Sequence, residues 1–130
     1  MSNTSIVTIT RNNSKYLDPF FKALYENTKI KDFELVLVDN ASNDSEAKHI
    51  DSLIREYEYY HEGGDKIKLI RNKEMKSFAA NCNEGARQAT GGFLMFLNDD
   101  TEVQPNWLDP LVVTAANDDG HYQSDRIAAV

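Results

Sequence analysis

Residues Phe93–Leu97 read FLMFL, and residues 98–102 that follow them read NDDTE. A run that is apolar at every position is typical of a parallel strand, because both faces of a parallel sheet are covered by helices. The abrupt change to amide and acidic side chains marks the carboxyl end of that strand. The stretch therefore predicts a central strand of a parallel sheet that ends in a cluster of polar side chains.

Further apolar runs and amphipathic stretches alternate around this strand. The other predicted strands are Ile6–Thr10, Phe33–Val38, Lys66–Ile70 and Arg126–Val130. Apolar residues at helical spacing lie between the strands, at residues 17–25, 47–57 and 77–90. This alternation predicts an α/β fold with a mostly parallel sheet and helices on both faces.

Three of the predicted helices carry signals for their ends or for their packing faces. Asn43 and Glu46 have the spacing of a capping box before the second helix. A fourth helix is expected to have Asp109 as its N-cap and Pro110 in its first turn. On the third helix, the residues predicted to pack against the sheet are Phe78, Cys82, Ala86 and Ala89.

Composition excludes several classes of protein. The chain has 130 residues and a formal net charge of −7, which disfavours a nucleic-acid backbone as partner. It has neither an apolar run of the roughly 20 residues that a membrane span needs nor the pattern of a signal peptide. The single cysteine, Cys82, cannot form an internal disulfide, so a reducing cytoplasm is the expected location.

Residues 1–130 are expected to form one domain. The sequence stops at a predicted strand, which suggests an α/β fold truncated after its fifth strand. Ligands of open α/β sheets bind at the carboxyl ends of the strands, near the switch in strand order. The residues that follow each strand are therefore the candidates for a binding site.

Polar side chains follow each of the first four predicted strands. The segments are residues 10–13 (TRNN), 39–44 (DNASND), 71–72 (RN) and 98–102 (NDDTE). The glycine patterns of dinucleotide-binding and P-loop proteins are absent from the sequence. The gathering of polar side chains on one sheet edge nevertheless predicts a ligand site there.

Asp99 and Asp100 are the candidate metal ligands. A carboxylate at a strand end can bind Mg²⁺ or Mn²⁺, and the ion then takes other ligands from water and substrate phosphates. Adjacent side chains of an extended segment point in opposite directions. We therefore expect one aspartate to bind the metal and the other to face a ribose or sugar. The alternative is a solvated acidic turn.

Three other polar residues each have two interpretations. Asp39 can accept from a nucleobase N–H or a ribose hydroxyl, or it can bond the backbone of its own turn. Asp44 can contact a ligand, or it can stabilise the dipole of the second helix. Arg71 can bind phosphate, or it can form an ordinary ion pair with Asp39 or Asp44.

Taken together, these segments resemble the nucleotide-binding half of a GT-A-fold (Rossmann-like) glycosyltransferase of family 2. The matching stretches follow the order of the family and cover nearly the whole chain. They are Ile6–Asn12 (IVTITRN), Glu34–Asp44 (ELVLVDNASND), Leu69–Asn72 (LIRN), Ser77–Gly85 (SFAANCNEG) and Ala89–Leu108 (ATGGFLMFLNDDTEVQPNWL).

The resemblance implies a nucleotide-diphosphate sugar donor, a saccharide or lipid-linked acceptor, and Mn²⁺ or Mg²⁺ as cofactor. By matching position, Asp100 would be the main metal ligand, and Asp99 would lie near the metal and the ribose or sugar. Asp39 would contact the nucleobase, and Asn83 would contact the sugar or a phosphate. The remaining residues of the nucleotide pocket would be Thr10, Arg11, Asp44 and Arg71.

The sequence departs from the family pattern in two respects. Asn98 stands at the first position of the DXD-like motif, so the motif rests on Asp100. The catalytic base of the family would come after Val130. We therefore expect the chain to bind the donor without transferring sugar. For the complete enzyme, the resemblance implies inversion of configuration at the anomeric carbon of the donor. Peripheral membrane association, at the inner face of a membrane, would occur through regions outside this chain.

Two other functions stay open at this point. One is a non-catalytic module that binds nucleotide sugars, because no base is evident. The other is a nucleotidyltransferase that makes activated sugars, although residues 11–13 lack the glycine run that such enzymes carry after the first strand.

Overall fold

The computed structural model describes residues 4–117 and the backbone of residues 128–129 as a three-layer α/β fold. The elements in chain order are β1 (Thr4–Thr10), α1 (Ser14–Asn27), β2 (Phe33–Asn40), α2 (Asp44–Tyr60), β3 (Lys68–Asn72), α3 (Phe78–Gln88), β4 (Phe93–Phe96), α4 (Leu108–Ala116) and β5 (Ala128–Ala129). The strand order is β3-β2-β1-β4-β5, and each neighbouring pair is parallel. The predicted fold class is confirmed. Of the predicted last strand, residues 126, 127 and 130 lie outside the described part.

Alternating side chains of the strands build a separate core on each face of the sheet. On one face, Leu35 and Leu37 pack with Leu17 and Phe21 of α1 and with Ile50 of α2. On the other face, the residues of the core are Val7, Val36, Val38, Ala89 and Leu94. β2 is buried along its whole length because it lies between β1 and β3 and is covered on both faces.

The strand order reverses beside β1, which has β2 on one side and β4 on the other. Chain connections leave the sheet in opposite directions at such a point, which is where open α/β sheets bind their ligands. The segments after these two strands are residues 11–13 and 97–107. The fold thus places the first and last predicted polar segments at the same switch point.

Two element boundaries differ from the predicted ones. β3 lies two residues later than predicted, because Ile67 donates its amide to Glu58 of α2 at 2.8 Å and the ladder continues through Asn72. α4 has Trp107 rather than Asp109 at its N-cap, and the Trp107 indole N–H donates to Thr28 Oγ1 at 2.7 Å. Within the described chain, no helix is both long and apolar enough to cross a membrane.

The packing face of α3 differs in part from the prediction. Asn81 and Gly85 are buried against the sheet, whereas Phe78 is 68% exposed and Cys82 is half-buried. Asn81 reaches Asn72, the last residue of β3, so Phe78 lies one helical turn past the strand ends. Phe78 therefore has no sheet beneath it. Burial raises the pKa of the Cys82 thiol.

Gly85 brings α3 into close contact with β1. A Cβ atom on Gly85 would lie 2.4 Å from Val7 Cγ1, which is far inside van der Waals contact. We expect Gly85→Ala to lower the free energy of unfolding by about 2 kcal/mol through overpacking. Chemical denaturation measures this change.

A second variant separates overpacking from other effects of the glycine. Val7→Ala removes the methyl group that an alanine at residue 85 would meet. In a chain that already carries Val7→Ala, Gly85→Ala should lower the free energy of unfolding much less, because the clashing methyl group is gone. Alanine also favours a helix over glycine by about 1 kcal/mol. An equal loss in both backgrounds would contradict the overpacking explanation.

The amino edge of the sheet is held together by the buried carboxylate of Glu34, which is 2% exposed. Its Oε2 accepts from Ser5 Oγ at 2.5 Å and from the Thr90 amide at 2.6 Å, and its Oε1 lies 3.0 Å from Lys68 Nζ. Burial raises the pKa of Glu34, but the hydrogen bonds from Ser5, Thr90 and Lys68 lower it by more. The ionised carboxylate is therefore favoured in the folded state.

Candidate functional site

Three of the predicted site residues form a row across the carboxyl ends of three strands. Thr10 of β1 lies opposite Asp39 of β2, and Asp39 lies opposite Arg71 of β3. Residues in register have side chains on the same face of a sheet. Thr10 and Asp39 are 1% and 0% exposed and form the inner wall of the site, whereas Arg71 is exposed at its rim.

Asp39 has both of the local partners that the sequence suggested. Its Oδ1 accepts from the Ser42 amide at 3.1 Å, and its Oδ2 accepts from Arg71 Nε at 2.8 Å. The carboxylate therefore fixes the turn after β2 and the side chain of Arg71 together. Its complete burial also means that a nucleobase contact requires a movement of this turn.

Arg71 is held from two sides. Besides Asp39, its Nη2 lies 3.1 Å from Asp51 Oδ1 and donates to the Ala47 carbonyl at 3.3 Å. Burial lowers the pKa of Arg71, but its bonds to Asp39 and Asp51 raise the pKa by more, so the guanidinium stays charged. The sequence suggested Asp39 or Asp44 as its partner. The sequence did not indicate Asp51 as a partner of Arg71, because Asp51 lies within α2, well beyond the strand-end segment 39–44.

Asp99 and Asp100 lie in a turn, not in an extended segment as expected. The Thr101 amide donates to the Asn98 carbonyl at 3.1 Å and closes the turn. Asp99 Oδ2 accepts from Thr10 Oγ1 at 2.9 Å and from Asn13 Nδ2 at 3.0 Å. Asp100 is exposed and has no hydrogen bond or ion pair with any residue between 4 and 117. The two carboxylates therefore have different surroundings, and which of them binds a metal and which a sugar stays a prediction.

The loops after β1 and β2 are tied together by hydrogen bonds that sequence reasoning missed. The Asn12 amide donates to Ser42 Oγ at 2.9 Å, and the Asn43 amide donates to Asn12 Oδ1 at 2.8 Å. Asn12 has a φ of 50°, in the left-handed region where asparagine is tolerated best after glycine. Arg11 on the first loop and Asp44 at the start of α2 are exposed, and the hydrogen bonds between the loops set their positions.

A buried asparagine network lies on the opposite face of the sheet and was also missed. Asn72 Nδ2 donates to Asn40 Oδ1 at 3.0 Å and to Asn81 Oδ1 at 2.8 Å. Asn40 additionally bonds both the amide and the carbonyl of Lys76, which fixes the loop before α3. Asn83 is exposed, and two residues make about 200° of helix, so its side chain faces away from this network.

The residues at the switch point fit a divalent cation. Among the described residues, no group of three or more histidine, cysteine, aspartate or glutamate side chains could hold a metal ion. Asp99 and Asp100 offer two carboxylates, and Mg²⁺ takes one or two where substrate phosphates and water complete its shell. Thr10 and Asn13 occupy one oxygen of Asp99, and the carboxylate of Asp100 is free of protein partners in the described range.

Comparison with protein families matches residues 5–128 to the family described as glycosyl transferase family 2. Among curated relatives, N-acetylgalactosaminyltransferase 7 of Drosophila melanogaster is 35% identical over 85 residues, which are 65% of this chain and 14% of that protein. GalNAc(5)-diNAcBac-PP-undecaprenol beta-1,3-glucosyltransferase of Campylobacter jejuni is 29% identical over 116 residues, which are 88% of this chain and 35% of that protein.

Solved structures share the fold. TarS 1-349 of S. aureus in complex with UDP superposes with a TM-score of 0.68 at 22% identity, over 89% of this chain and 31% of that one. The mannosyltransferase PcManGT of Pyrobaculum calidifontis, in complex with GDP-Man and Mn²⁺, gives a TM-score of 0.63 at 23% identity, over 75% of this chain and 27% of that one. The chain thus spans about a third or less of the length of each of these four proteins.

Proposed function

The chain belongs to glycosyl transferase family 2, and from that premise we propose that it is the donor-binding part of a glycosyltransferase that uses a nucleotide-diphosphate sugar. The observation that carries the proposal is the hydrogen bond between Thr10 and Asp99. It joins the carboxyl ends of β1 and β4 at the switch point, beside the unpaired carboxylate of Asp100. The two solved structures in complex with UDP and with GDP-Man support a nucleotide donor.

In this proposal each strand-end residue has a part in holding the donor. Arg71 lines the nucleotide pocket, with its guanidinium held in place by Asp39 and Asp51. Arg11 and Asp44 line the pocket from the two tied loops. Asp39 contacts the nucleobase when the turn at Ser42 opens. Asn83 has no neighbour in the site, so its contact with sugar or phosphate stays a prediction.

We further propose that Asp100, with Asp99, holds Mn²⁺ or Mg²⁺. Such an ion, when bound, neutralises the negative charge that builds on a departing diphosphate. An acidic chain with a net charge of −7 also needs a cation to bind an anionic donor tightly. The Mn²⁺ in the PcManGT complex supports the choice of metal.

Donor binding without sugar transfer is the activity we propose for residues 1–130 themselves. Asp39, Asp44, Asp99 and Asp100 already have parts in the proposal, so we assign none of them to deprotonate an acceptor hydroxyl. Direct displacement with inversion, and a saccharide or lipid-linked acceptor, are proposed for the complete enzyme. The undecaprenol-linked name of the Campylobacter relative supports a lipid-linked acceptor, whereas the name of the Drosophila relative specifies a sugar and no acceptor.

A thermal-shift screen tests the proposal directly. The chain is heated with UDP-, GDP- and dTDP-sugars, each with and without Mn²⁺. A donor at a hundredfold excess over its Kd stabilises the folded state by about 2.7 kcal/mol, which moves the midpoint by several degrees. We expect one nucleotide class to shift the midpoint, and only with the cation. No shift with any donor would contradict the proposal.

Asp39→Asn should weaken binding of the preferred nucleoside diphosphate about tenfold, because a hydrogen bond to a charged group contributes about 1.5–3 kcal/mol. The variant keeps the size of the side chain, which matters because Asp39 is buried. Calorimetric titration measures the affinity.

Asp51→Asn is the matched control, because it removes the other carboxylate partner of Arg71 and leaves Asp39 in place. We expect this control to retain nearly full affinity. If the two variants lose affinity equally, Asp39 acts only through Arg71 and not through the nucleobase.

A further inference from the structure

Asn13 is at the N-cap position of α1, but its side chain does not cap the helix. Asparagine is among the residues most favoured at an N-cap, where its side chain normally accepts from an amide of the first turn. The other two polar N-caps of the described chain do this: Asn43 accepts from the Glu46 amide and Ser77 accepts from the Ala80 amide. The cap of α1 is the exception.

The side chain of Asn13 is used instead to hold Asp99, 86 residues away in the sequence. Its Nδ2 donates to Asp99 Oδ2 at 3.0 Å, the same oxygen that accepts from Thr10 Oγ1. Part of the missing capping is supplied from elsewhere, because Glu46 Oε2 of α2 accepts the Ser14 amide at 3.2 Å. The start of α1 is thus arranged around the bond to Asp99.

Two donors on one oxygen restrict the rotation of the Asp99 carboxylate. Asn98 and Asp100, on either side of Asp99, are exposed. The bonds from Thr10 and Asn13 therefore attach this turn to the end of β1 and the start of α1. The second oxygen of Asp99 has no hydrogen-bond partner among residues 4–117 and is available to a ligand. Groups that orient the carboxylate of a metal site commonly change metal affinity 10–100-fold when they are mutated.

We propose that Asn13 is a positioning residue, which gives up the capping of α1 in order to orient Asp99 towards a cation and the diphosphate of the donor. The inference rests on the proposed function. It follows the general observation that sequences depart from local structural preferences at functional sites. The sequence places Asn13 among the polar residues 10–13 after β1 and predicts no individual role for it.

Asn13→Ser separates the two roles of this position. Serine caps helices as well as asparagine does, but it is too short to reach Asp99. We expect the midpoint of unfolding to be unchanged or raised, while the affinity for UDP, GDP or dTDP in the presence of Mn²⁺ falls about tenfold. Ser77→Asn makes the converse change at an N-cap that does cap its helix and lies outside the strand-end segments, and it should leave this affinity unchanged.

A double variant checks that Asn13 acts through Asp99. In a chain that carries Asp99→Ala, adding Asn13→Ser should cause no further loss of affinity. If the parent binds with Mn²⁺ and Asn13→Ser retains full affinity, or if the loss persists beside Asp99→Ala, the positioning role is wrong. If the parent binds none of the three nucleotides with Mn²⁺, the proposed function is wrong and the positioning role fails with it.

Discussion

Asp100→Ala should lower the affinity for the preferred nucleoside diphosphate in the presence of Mn²⁺ by about 100-fold. Removing even an indirect partner of a metal site commonly costs 10–100-fold in affinity, and Asp100 is the proposed direct ligand. The residue is exposed and unpaired in the described chain, so the substitution breaks no contact of the fold. Calorimetric titrations with Mn²⁺ and with excess chelator measure the effect.

The chelator is what makes this experiment decisive. With chelator, the parent and Asp100→Ala should bind equally weakly, because the lost interaction depends on the cation. Glu102→Ala is the matched control, since Glu102 is also exposed, carries the same charge and lies two residues away. Equal affinity of the parent with and without the cation would show that the site binds nucleotide without metal. If Glu102→Ala loses as much affinity as Asp100→Ala, Asp100 contributes only through its negative charge and not as a metal ligand.

Glu34→Ala should lower the free energy of unfolding at pH 7 by about 3 kcal/mol. Removing one member of a buried ion pair costs about 3–5 kcal/mol, and the lower end applies because the Lys68 side chain is 36% exposed. The substitution also leaves the Ser5 hydroxyl and the Thr90 amide without their acceptor. Urea denaturation of both proteins gives the difference.

The pH dependence of this difference has a defined sign. The pKa of Glu34 is lowered in the folded state, so its contribution is complete above the unfolded-state pKa of about 4.3. The contribution is lost as the pH falls from there through the lowered pKa of the folded state. The parent and Glu34→Ala should therefore converge in acid. Glu84→Ala, which removes an exposed ion pair with Arg87, should change stability by less than about 0.5 kcal/mol. A difference for Glu34→Ala that does not depend on pH would contradict this account.

Strand positions and the site edge could be predicted from the sequence because they depend on local patterns. The run FLMFL has the apolar side chains of a strand covered on both faces. The Asn43 cap depends on a contact between residues only three positions apart, Asn43 and Glu46. The row of Thr10, Asp39 and Arg71 also follows from sequence, since parallel strands in order bring their carboxyl ends to one edge.

Long-range partners could not be predicted because they depend on how the elements pack. The bond from Asn13 to Asp99 joins the segment after β1 to the turn after β4, 86 residues away, and no local pattern pairs them. Asn72 and Asn81 resemble ordinary polar residues until α3 is placed over the ends of β2 and β3. The helical spacing of Phe78 predicts that it packs against the sheet, but spacing does not show where the sheet ends beneath a helix.

The two ion pairs between β2 and β3 have a consequence for folding fidelity. Glu34 pairs with Lys68 on one face of the sheet, and Asp39 pairs with Arg71 on the other. A slip of β3 by one residue would be rejected because it exchanges the buried and exposed sides of the strand. A slip of β3 by two residues keeps every side chain on its own face of the sheet. In that case the two ion pairs decide the register, because the slip would separate their charges. β3 is an outer strand of the described sheet. A slip of β3 would leave backbone groups of β2 without partners and open to neighbouring molecules, so these ion pairs also oppose aggregation by that route.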